Sequence, residues 1–410
     1  MAAPPSHADV RCADGLARGL DLVRAAEDAT RAALTAMHGV APDLAVVFVN
    51  AGEPDAVEAA LVAAGRLSGA TTTLGSTAVD GVIAGGRADQ EPGAVAVWLA
   101  ALPGARLRAF HLEVIRTTDS LAVVGMPPAH DDDRVGLLLA DAWSFPVEGF
   151  VEHSAQAYPG LALSGGLAAG RSGAGSTRLL LDGRVVDRGA VGVLVGGDVA
   201  VNTVVSQGCR PVGESMTVTA SDGNLVQRLA GRTAVEQIER LVQELDGYDQ
   251  ALATRGLQLG IARDEYSEDQ EQGDFLVRGI VGVDRASGAI AVGDVVEVGR
   301  TVSFHLRDAA AADADLVTLL GALRRRGVGR VDGALLFSCN SRGTSLFSSA
   351  DHDPAVVRNA FDGAPVGGFF ASGEIGPVSG RNYLHGFTAS LVTFGPAASA
   401  GGRDRVEREA

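Results

Sequence analysis

The chain has 410 residues, a formal net charge of −16 and 46% hydrophobic residues, a composition typical of a folded protein with two or three domains. The negative charge argues against nucleic acid as a partner, because phosphate backbones select basic surfaces. The chain contains 34 arginines and no lysine, and the absence of lysine excludes Schiff-base catalysis and a phosphate-loop lysine.

The cysteines and the N-terminus bear on the compartment. Cys12, Cys209 and Cys339 are widely separated and form no C-x-x-C pair, which argues against a disulfide framework or a structural zinc site. The sequence starts without a basic region followed by an apolar stretch, and it contains no run of about 18 apolar residues. We therefore expect a cytoplasmic protein with no membrane partner.

The two ends of the chain are predicted to be flexible. Residues 1–14 contain Pro and polar residues without periodicity, so they are predicted as a loose tail. From Leu16 to about Met37, apolar residues recur at helical spacing and predict a helix. Residues 395–410 are rich in Gly and Ala and then charged, which predicts a disordered tail.

A repeated pattern occupies much of the remaining chain. Each repeat contains an apolar strand, a helix, a second strand, a glycine turn and a third strand. The repeats span residues 45–99, 135–181 and 334–392. Their third strands are predicted at residues 95–99, 178–181 and 387–392, and their turns at Gly75 and Gly81, at Gly165 and Gly170, and at Gly367 and Gly373.

This pattern predicts an α/β fold. Strands that alternate with helices pair in parallel through crossovers, and the strands after each glycine turn add antiparallel hairpins. A strand-rich stretch lies before the last repeat, with one helix over 235–245 that starts after Gly231-Arg232-Thr233. We expect mixed β-sheets in two closely packed domains, at residues 15–231 and 232–394.

Three polar segments near the C-terminus follow predicted strands. They are residues 337–343 (FSCNSRG), 367–377 (GGFFASGEIGP) and 382–388 (NYLHGFT). Ligands bind beside strand ends in open α/β sheets, so we expect these segments to converge on one pocket. The structural alternative is that Glu374 pairs with a neighbouring arginine, Arg342 or Arg381, as a salt bridge.

These segments carry a family resemblance. Residues 337–343 and 373–377 resemble the F-S-C-N-x-R-G and G-E-I-G-P signatures of the FIST C domain. Residues 204–213 (VVSQGCRPVG) resemble the end of the FIST N domain, and residues 74–78 and 163–167 resemble its glycine turns. The resemblance implies a sensory protein that binds a small ligand such as an amino acid, and some members of the family are haem-based gas sensors.

The resemblance also sets limits. Where the family's first glycine turn often continues as G-E-I, this chain has Gly81-Val82-Ile83, so the acidic group remains at Glu374. No kinase, cyclase or methyl-accepting segment is visible. We therefore expect a stand-alone sensor that signals through an unidentified partner protein and is not an enzyme.

The ligand prediction rests on arginine chemistry. A planar guanidinium holds a carboxylate with two hydrogen bonds, which favours Arg210 and Arg342 as ligand-binding residues. For residues 207–213 the alternative is a strand-to-turn corner shaped by Gly and Pro. The predicted ligand-binding residues are Gln207, Gly208, Arg210, Ser338, Asn340, Arg342, Gly373, Glu374, Asn382 and His385. No metal or cofactor is expected.

Three alternatives stay open. In the first, Cys339 is a thiolate nucleophile, His385 is its base, and Asn340 or Glu374 orients the base. In the second, haem binds to an axial histidine. The haem candidates are His111, His153, His305 and His385. In the third, the chain is a scaffold that binds only protein.

Overall fold

A computed structural model describes residues 9–118, 120–265, 272–326 and 329–397. Its α-helices are α1 (Leu22–Ala36), α2 (Pro54–Ser68), α3 (Val147–Ala157), α4 (Ala234–Glu244), α5 (Gly247–Ala253), α6 (Ala309–Arg325) and α7 (His352–Ala360). Its first strands are β1 (Arg11–Arg18), β2 (Leu44–Asn50), β3 (Thr72–Ala78), β4 (Val82–Ala84), β5 (Arg87–Asp89), β6 (Ala94–Ala101), β7 (Ala105–Arg116), β8 (Leu121–Val124), β9 (Asp133–Asp141), β10 (Ala162–Ala168), β11 (Leu179–Leu181), β12 (Arg184–Val186) and β13 (Ala190–Gly197). The later strands are β14 (Val199–Ser206), β15 (Cys209–Asp222), β16 (Leu225–Leu229), β17 (Arg232–Thr233), β18 (Leu257–Ala262), β19 (Phe275–Asp284), β20 (Ala289–Val292), β21 (Thr301–Arg307), β22 (Gly333–Cys339), β23 (Val366–Ala371), β24 (Glu374–Val378), β25 (Arg381–His385) and β26 (Ala389–Pro396).

The described residues form two compact units. The first contains residues 9–205, 317–384 and 389–397, and the second contains residues 206–316 and 385–388. This division differs from the predicted boundary at residue 231. Helices and mixed parallel and antiparallel sheets occur together, which confirms the predicted α/β fold.

The first unit contains the predicted repeats. In each repeat the first two strands pair in parallel across a helix, as β2 with β3, β9 with β10, and β22 with β23. The third strands β6, β13 and β26 then pair antiparallel with the first. The prediction for the third strand of the middle repeat is wrong, because that strand is β13 and residues 179–181 pair in another sheet.

The repeats exchange hairpins in a cycle. After its second strand, each repeat sends a two-stranded hairpin to the sheet of a different repeat. Thus β4 pairs with β23, β11 pairs with β3, and β24 pairs with β10, all antiparallel. The sheet orders are β1-β6-β2-β3-β11-β12, β25-β24-β10-β9-β13-β7-β8 and β14-β26-β22-β23-β4-β5. Gly75, Gly165 and Gly367 were predicted in turns, but they lie inside strands β3, β10 and β23.

The core of the first unit lies between these sheets. Phe48, Phe337 and Phe369 come from the first and last repeats and are buried together. The rings of Phe48 and Phe369 stack with centroids 4.8 Å apart. Strand β2 is buried along its whole length, because helices α1 and α2 cover its other face. A continuous apolar run is typical of a strand that is buried on both faces.

The second unit is a closed barrel. Its strand order is β15-β21-β18-β19-β20-β16-β17, and an additional pairing of β15 with β16 closes a ring of six strands. Helix α4 packs on this core and begins at Thr233, whose side chain accepts from the backbone N–H of Glu236 while the Glu236 carboxylate accepts from the backbone N–H of Thr233. This reciprocal cap confirms the predicted start of the helix after Gly231.

The N-terminal predictions need correction. Residues Arg11–Arg18 form β1, antiparallel to β6, so the predicted tail is wrong for Arg11 to Asp14. The helix begins at Leu22 and not at Leu16, because the Asp21 side chain accepts a hydrogen bond from the backbone N–H of Arg24 at 3.1 Å. Strand β26 runs to Pro396, so the predicted C-terminal tail is wrong for Gly395 and Pro396. Residues 1–8 and 398–410 of the predicted tails lie outside the described residues.

A buried histidine makes the stability of the barrel depend on pH. Burial lowers the pKa of His305 to about 4, and its Nδ1 lies 3.1 Å from the carbonyl oxygen of Ser303. The unfolded chain binds this proton near pH 6.5, so the contribution of neutral His305 is present above that pH and is lost as pH falls towards about 4.

We expect the free energy of unfolding of the second unit to fall by about 3 kcal/mol as pH is lowered over this range, because of His305 alone. Urea unfolding at a series of pH values measures it. His305→Gln should remove this part of the pH dependence, whereas His153→Gln on α3 should keep it. An unchanged pH profile in His305→Gln would contradict the prediction.

Candidate functional site

The candidate site lies at the carboxyl end of β22, in the first unit. The backbone N–H of Asn340 donates to the carbonyl of Ala371 at 2.9 Å and extends the parallel pairing by one residue. The N–H of Arg342 then donates to the carbonyl of Cys339 at 2.8 Å, which closes a tight turn. Gly343 follows with φ of +53°, and a Cβ there would lie 3.0 Å from the ring of Phe370. The turn therefore needs glycine after Arg342.

A buried ion pair forms the inner part of the site. Arg342 Nε donates to Asp353 Oδ2 at 2.7 Å and Nη2 donates to Oδ1 at 2.9 Å, with side-chain exposures of 0% and 2%. The Ser338 hydroxyl also donates to Asp353 at 2.9 Å, and His352 Nδ1 lies 3.0 Å from its other oxygen. The sequence analysis missed Asp353, which comes from the first turn of α7.

The charges of this pair stabilise each other. Burial would raise the pKa of Asp353, but the Arg342 guanidinium holds it well below its usual range. Burial would lower the pKa of Arg342, but the Asp353 carboxylate outweighs burial, with smaller effects from Cys339 and Glu374, so the pKa is raised. Both side chains are therefore charged across the whole physiological pH range.

One nitrogen of the Arg342 guanidinium takes no part in the ion pair with Asp353. Its Nη1 atom is buried and has no hydrogen-bond partner among the described residues. The guanidinium carbon lies 5.3 Å from the centroid of the Phe347 ring, which stacks on His352. A buried donor without a partner costs free energy, so this N–H group can bind an acceptor from a ligand.

A second group of polar side chains lies beside Cys339. The Ser341 hydroxyl donates to the Cys339 sulfur at 3.0 Å, and Asn340 Nδ2 donates to Asp80 Oδ2 at 3.0 Å. Asp80 precedes β4, and the N–H of Phe370 donates to the carbonyl of Gly81 at 3.0 Å. The exchanged hairpin of the first repeat therefore brings Asp80 to the last repeat, and the sequence analysis missed it.

Three other predicted residues also lie in the first unit. Glu374 is buried at the start of β24, opposite Gly166 of β10. The carbonyl of Gly373 accepts from the N–H of Leu167 at 2.8 Å, so this residue contributes to strand pairing. The buried Asn382 amide accepts from Leu163 N–H at 2.8 Å and donates to the carbonyl of Leu161 at 2.9 Å. These bonds give Asn382 a structural role beside β10.

The remaining predicted residues belong to the second unit, with His385 at the end of β25 and buried. The backbone N–H of Gln207 donates to Asp315 at 2.7 Å, and Gly208 and Cys209 next to it are buried. Arg210 donates through Nε to Asp308 at 2.8 Å and is also paired with Asp249. Two carboxylates thus occupy the guanidinium that was predicted to bind a ligand carboxylate.

The haem candidates are spread over the fold. His111 lies on β7, His153 on α3 and His305 inside the barrel. Within the described part of the chain, no group of three or more His, Cys, Asp or Glu side chains could hold a metal ion. None of the described helices is long and apolar enough to cross a membrane.

Comparison with known families agrees with the signatures. The sequence matches the FIST N domain over residues 43–232 and the FIST C domain over residues 234–377. The chain belongs to the FIST family. FIST domains are associated with sensory ligand binding and signal transduction and are not a known enzyme family. In this FIST protein, the FIST C match includes the S-C-N-S-R-G segment and Asp353.

Relatives extend over nearly the whole chain. An uncharacterized protein of Mycobacterium tuberculosis strain H37Rv is 41% identical over 389 residues, which cover 94% of this chain and 100% of the relative. An uncharacterized protein of Mycobacterium bovis strain AF2122/97 is 39% identical over 385 residues, covering 94% of this chain and 99% of the relative. The similarity therefore covers nearly the full length of both mycobacterial relatives.

Proposed function

We propose that this FIST protein is a sensor that binds a free amino acid or a related small carboxylate at the carboxyl end of β22. The observation that carries the proposal is the buried Nη1 group of Arg342, which has no hydrogen-bond partner among the described residues. A ligand carboxylate supplies the acceptor that this N–H group lacks, and a charge-assisted hydrogen bond there is a strong one.

The surrounding charges favour an amino acid over a simple carboxylate. Asp353 already neutralises Arg342, whereas Asp80 and Glu374 add further acidic groups. A ligand with only negative charge would meet repulsion from these carboxylates. A ligand with a carboxylate and an ammonium group can bind Arg342 and the acidic groups together.

The same geometry suggests how binding is transmitted. Asp353 lies in the first turn of α7, and its carboxylate is held by Arg342 and Ser338. A ligand that hydrogen-bonds to Arg342 changes the contacts that fix the start of this helix. We propose that a partner protein reads the resulting change on the surface around α7.

Thermal shift against a panel of amino acids and simple carboxylates tests the proposal, because a ligand that binds the native state must raise its melting temperature. At about 100 times Kd the stabilisation is about 2.7 kcal/mol. Asp80→Ala and Asn340→Ala should lose most of the shift, because Asp80 is one of the acidic groups proposed to bind the ligand ammonium and Asn340 donates to it. Both side chains are only partly buried, so we expect both variants to fold. Calorimetric titration then gives Kd.

The matched control is Arg31→Ala, which removes an exposed side chain on α1. It should keep the full shift. The absence of a shift with every amino acid of the panel, or a shift that is equal in Asp80→Ala, Asn340→Ala and the wild type, would refute this site.

A further inference from the structure

The three repeats end their first strands in the same way. In each, the last residue of the first strand lies opposite an alanine that ends the second strand, and the next residue donates its backbone N–H to that alanine. The three pairs are Asn50 and Ala78, Asp141 and Ala168, and Cys339 and Ala371. The position that carries the candidate site in the last repeat therefore has an equivalent after Asp141 in the middle repeat.

A cleft of about 910 Å³ lies at this equivalent position. Trp143 and Ser144, which follow Asp141, line one part of it, and the β11–β12 hairpin lines another part. Trp143 is 59% exposed, which leaves its ring open to a ligand. The volume is in the range of pockets that bind small molecules.

The cleft is rich in arginine, although the protein as a whole is acidic. The arginines that line it are Arg116, Arg178, Arg184 and Arg188. Arg178 lies 3.5 Å from Glu58, and Arg188 lies 3.3 Å from Asp187. These two guanidinium groups are thus neutralised by neighbours in the cleft.

The other two arginines are not neutralised. Arg116 and Arg184 are exposed to solvent and make no ion pair with any carboxylate of the described residues. His111 contacts Glu113 at 3.4 Å through Nδ1. The Nε2 atom of His111 is buried and has no hydrogen-bond partner among the residues that the structure describes. The cleft therefore offers two guanidinium groups and one imidazole nitrogen to a ligand, and the exposed Glu113 is the one lining carboxylate that no arginine pairs with among the described residues.

We propose that this cleft is a second ligand site, which binds a small phosphate ester that carries a planar ring, such as a mononucleotide. A phosphate dianion matches the charge of two guanidinium groups, and arginine binds phosphate through two parallel hydrogen bonds. The exposed Trp143 ring supplies a stacking surface for a flat heterocycle. This site is separate from the amino-acid site and does not depend on it.

Tryptophan fluorescence gives a direct test. The chain has two tryptophans, and Trp98 is fully buried in the core whereas Trp143 is exposed at the cleft. Titration with adenosine monophosphate should change the emission of Trp143 in a saturable way. Trp143→Phe should abolish this change, while calorimetry should still detect weakened binding.

Charge variants test the phosphate contact. Arg184→Gln and Arg116→Gln should each raise the Kd for adenosine monophosphate by about tenfold or more, as expected for loss of a charge-assisted hydrogen bond. The matched control Arg31→Gln removes the same charge from the exposed face of α1 and should leave Kd unchanged. Adenosine, which lacks phosphate, should bind far more weakly than the mononucleotide to the wild type.

Several results would overturn the proposal. They are the absence of binding at millimolar adenosine monophosphate, equal affinity for adenosine, or a fluorescence change that survives in Trp143→Phe. Equal loss of affinity in Arg31→Gln would also overturn it, because it would indicate a general charge effect. Asp80→Ala should leave this binding intact, so failure of the amino-acid site and failure of this site can be told apart.

Discussion

Replacement of Asp353 by Ala is expected to lower the free energy of unfolding of the first unit by about 3–5 kcal/mol. The variant leaves the guanidinium of Arg342 buried without its carboxylate, and Arg342 is 0% exposed. Removing one partner of a buried ion pair costs more than the pair contributes, because the remaining charge stays out of water. Urea unfolding followed by circular dichroism measures the change.

Two controls separate this effect from simple truncation. The double variant Asp353→Ala, Arg342→Met removes both charges and should recover a large part of the loss, since an apolar replacement needs no partner. Glu27→Ala breaks an exposed pair with Arg31 and should have little effect. A loss in Asp353→Ala no larger than that in Glu27→Ala would contradict the prediction.

The ion pair of Arg342 and Asp353 should keep its contribution to the free energy of unfolding at mildly acidic pH. The pKa of Asp353 in the folded protein is held well below its usual range, chiefly by Arg342 against the effect of burial. Its contribution is therefore complete above the pKa of an unfolded carboxyl, near 4, and is lost only as pH falls through the lower folded value. The deficit of Asp353→Ala relative to the wild type should stay constant from neutral pH down to about 4.

The repeats were predictable, but the exchange of hairpins was not. Periodicity and spacing identified the parallel strand pairs, because strands that alternate with helices favour parallel pairing through a crossover. Short strands such as β4 and β11 have three residues each, too few to encode a pairing partner. Their partners depend on which sheet edge lies nearby, which is a tertiary property.

Some residues of the candidate site were predictable from the sequence, and others were not. Ser338, Asn340 and Arg342 were predicted together because they share one strand end, and the structure places them there. Asp80 is 260 residues from Asn340 in the sequence and reaches it only through the exchanged hairpin. Asp353 resembled an ordinary acidic residue near a helix start, a position that acidic residues favour for local reasons.

Two helices, α5 and α6, were not predicted from the sequence, and α6 shows a third limit. Helix α6 begins in the alanine-rich run after Asp308, whose carboxylate accepts from the backbone N–H of Ala310 at 2.9 Å. Alanine favours helix, but it gives no contrast between an apolar and a polar face. The buried Leu316, Leu320 and Leu323 that follow recur at helical spacing, so the signal that could have identified this helix lies after the alanine run.

Replacement of Gly165 by Ala is expected to destabilise the first unit by about 3 kcal/mol or more, at the upper end for overpacking of a core. A Cβ at Gly165 would lie 1.8 Å from the carbonyl oxygen of Leu138 on the paired strand, and backbone atoms cannot move aside without breaking the pairing of β9 with β10. A Cβ at the equivalent glycines of the other repeats, Gly75 and Gly368, would lie 2.6 and 1.8 Å from the carbonyl oxygens of Val47 and Leu336.

Gly149→Ala is the matched control, because a Cβ there meets no atom within 4 Å and the residue lies inside α3. It should be neutral or stabilise by up to about 1 kcal/mol, since alanine favours helix more than glycine does. Parallel urea unfolding of both variants measures the difference. If Gly165→Ala unfolds at the same urea concentration as Gly149→Ala, the glycine does not serve the close approach of β9 and β10, and the shared glycine of the three repeats then needs another explanation.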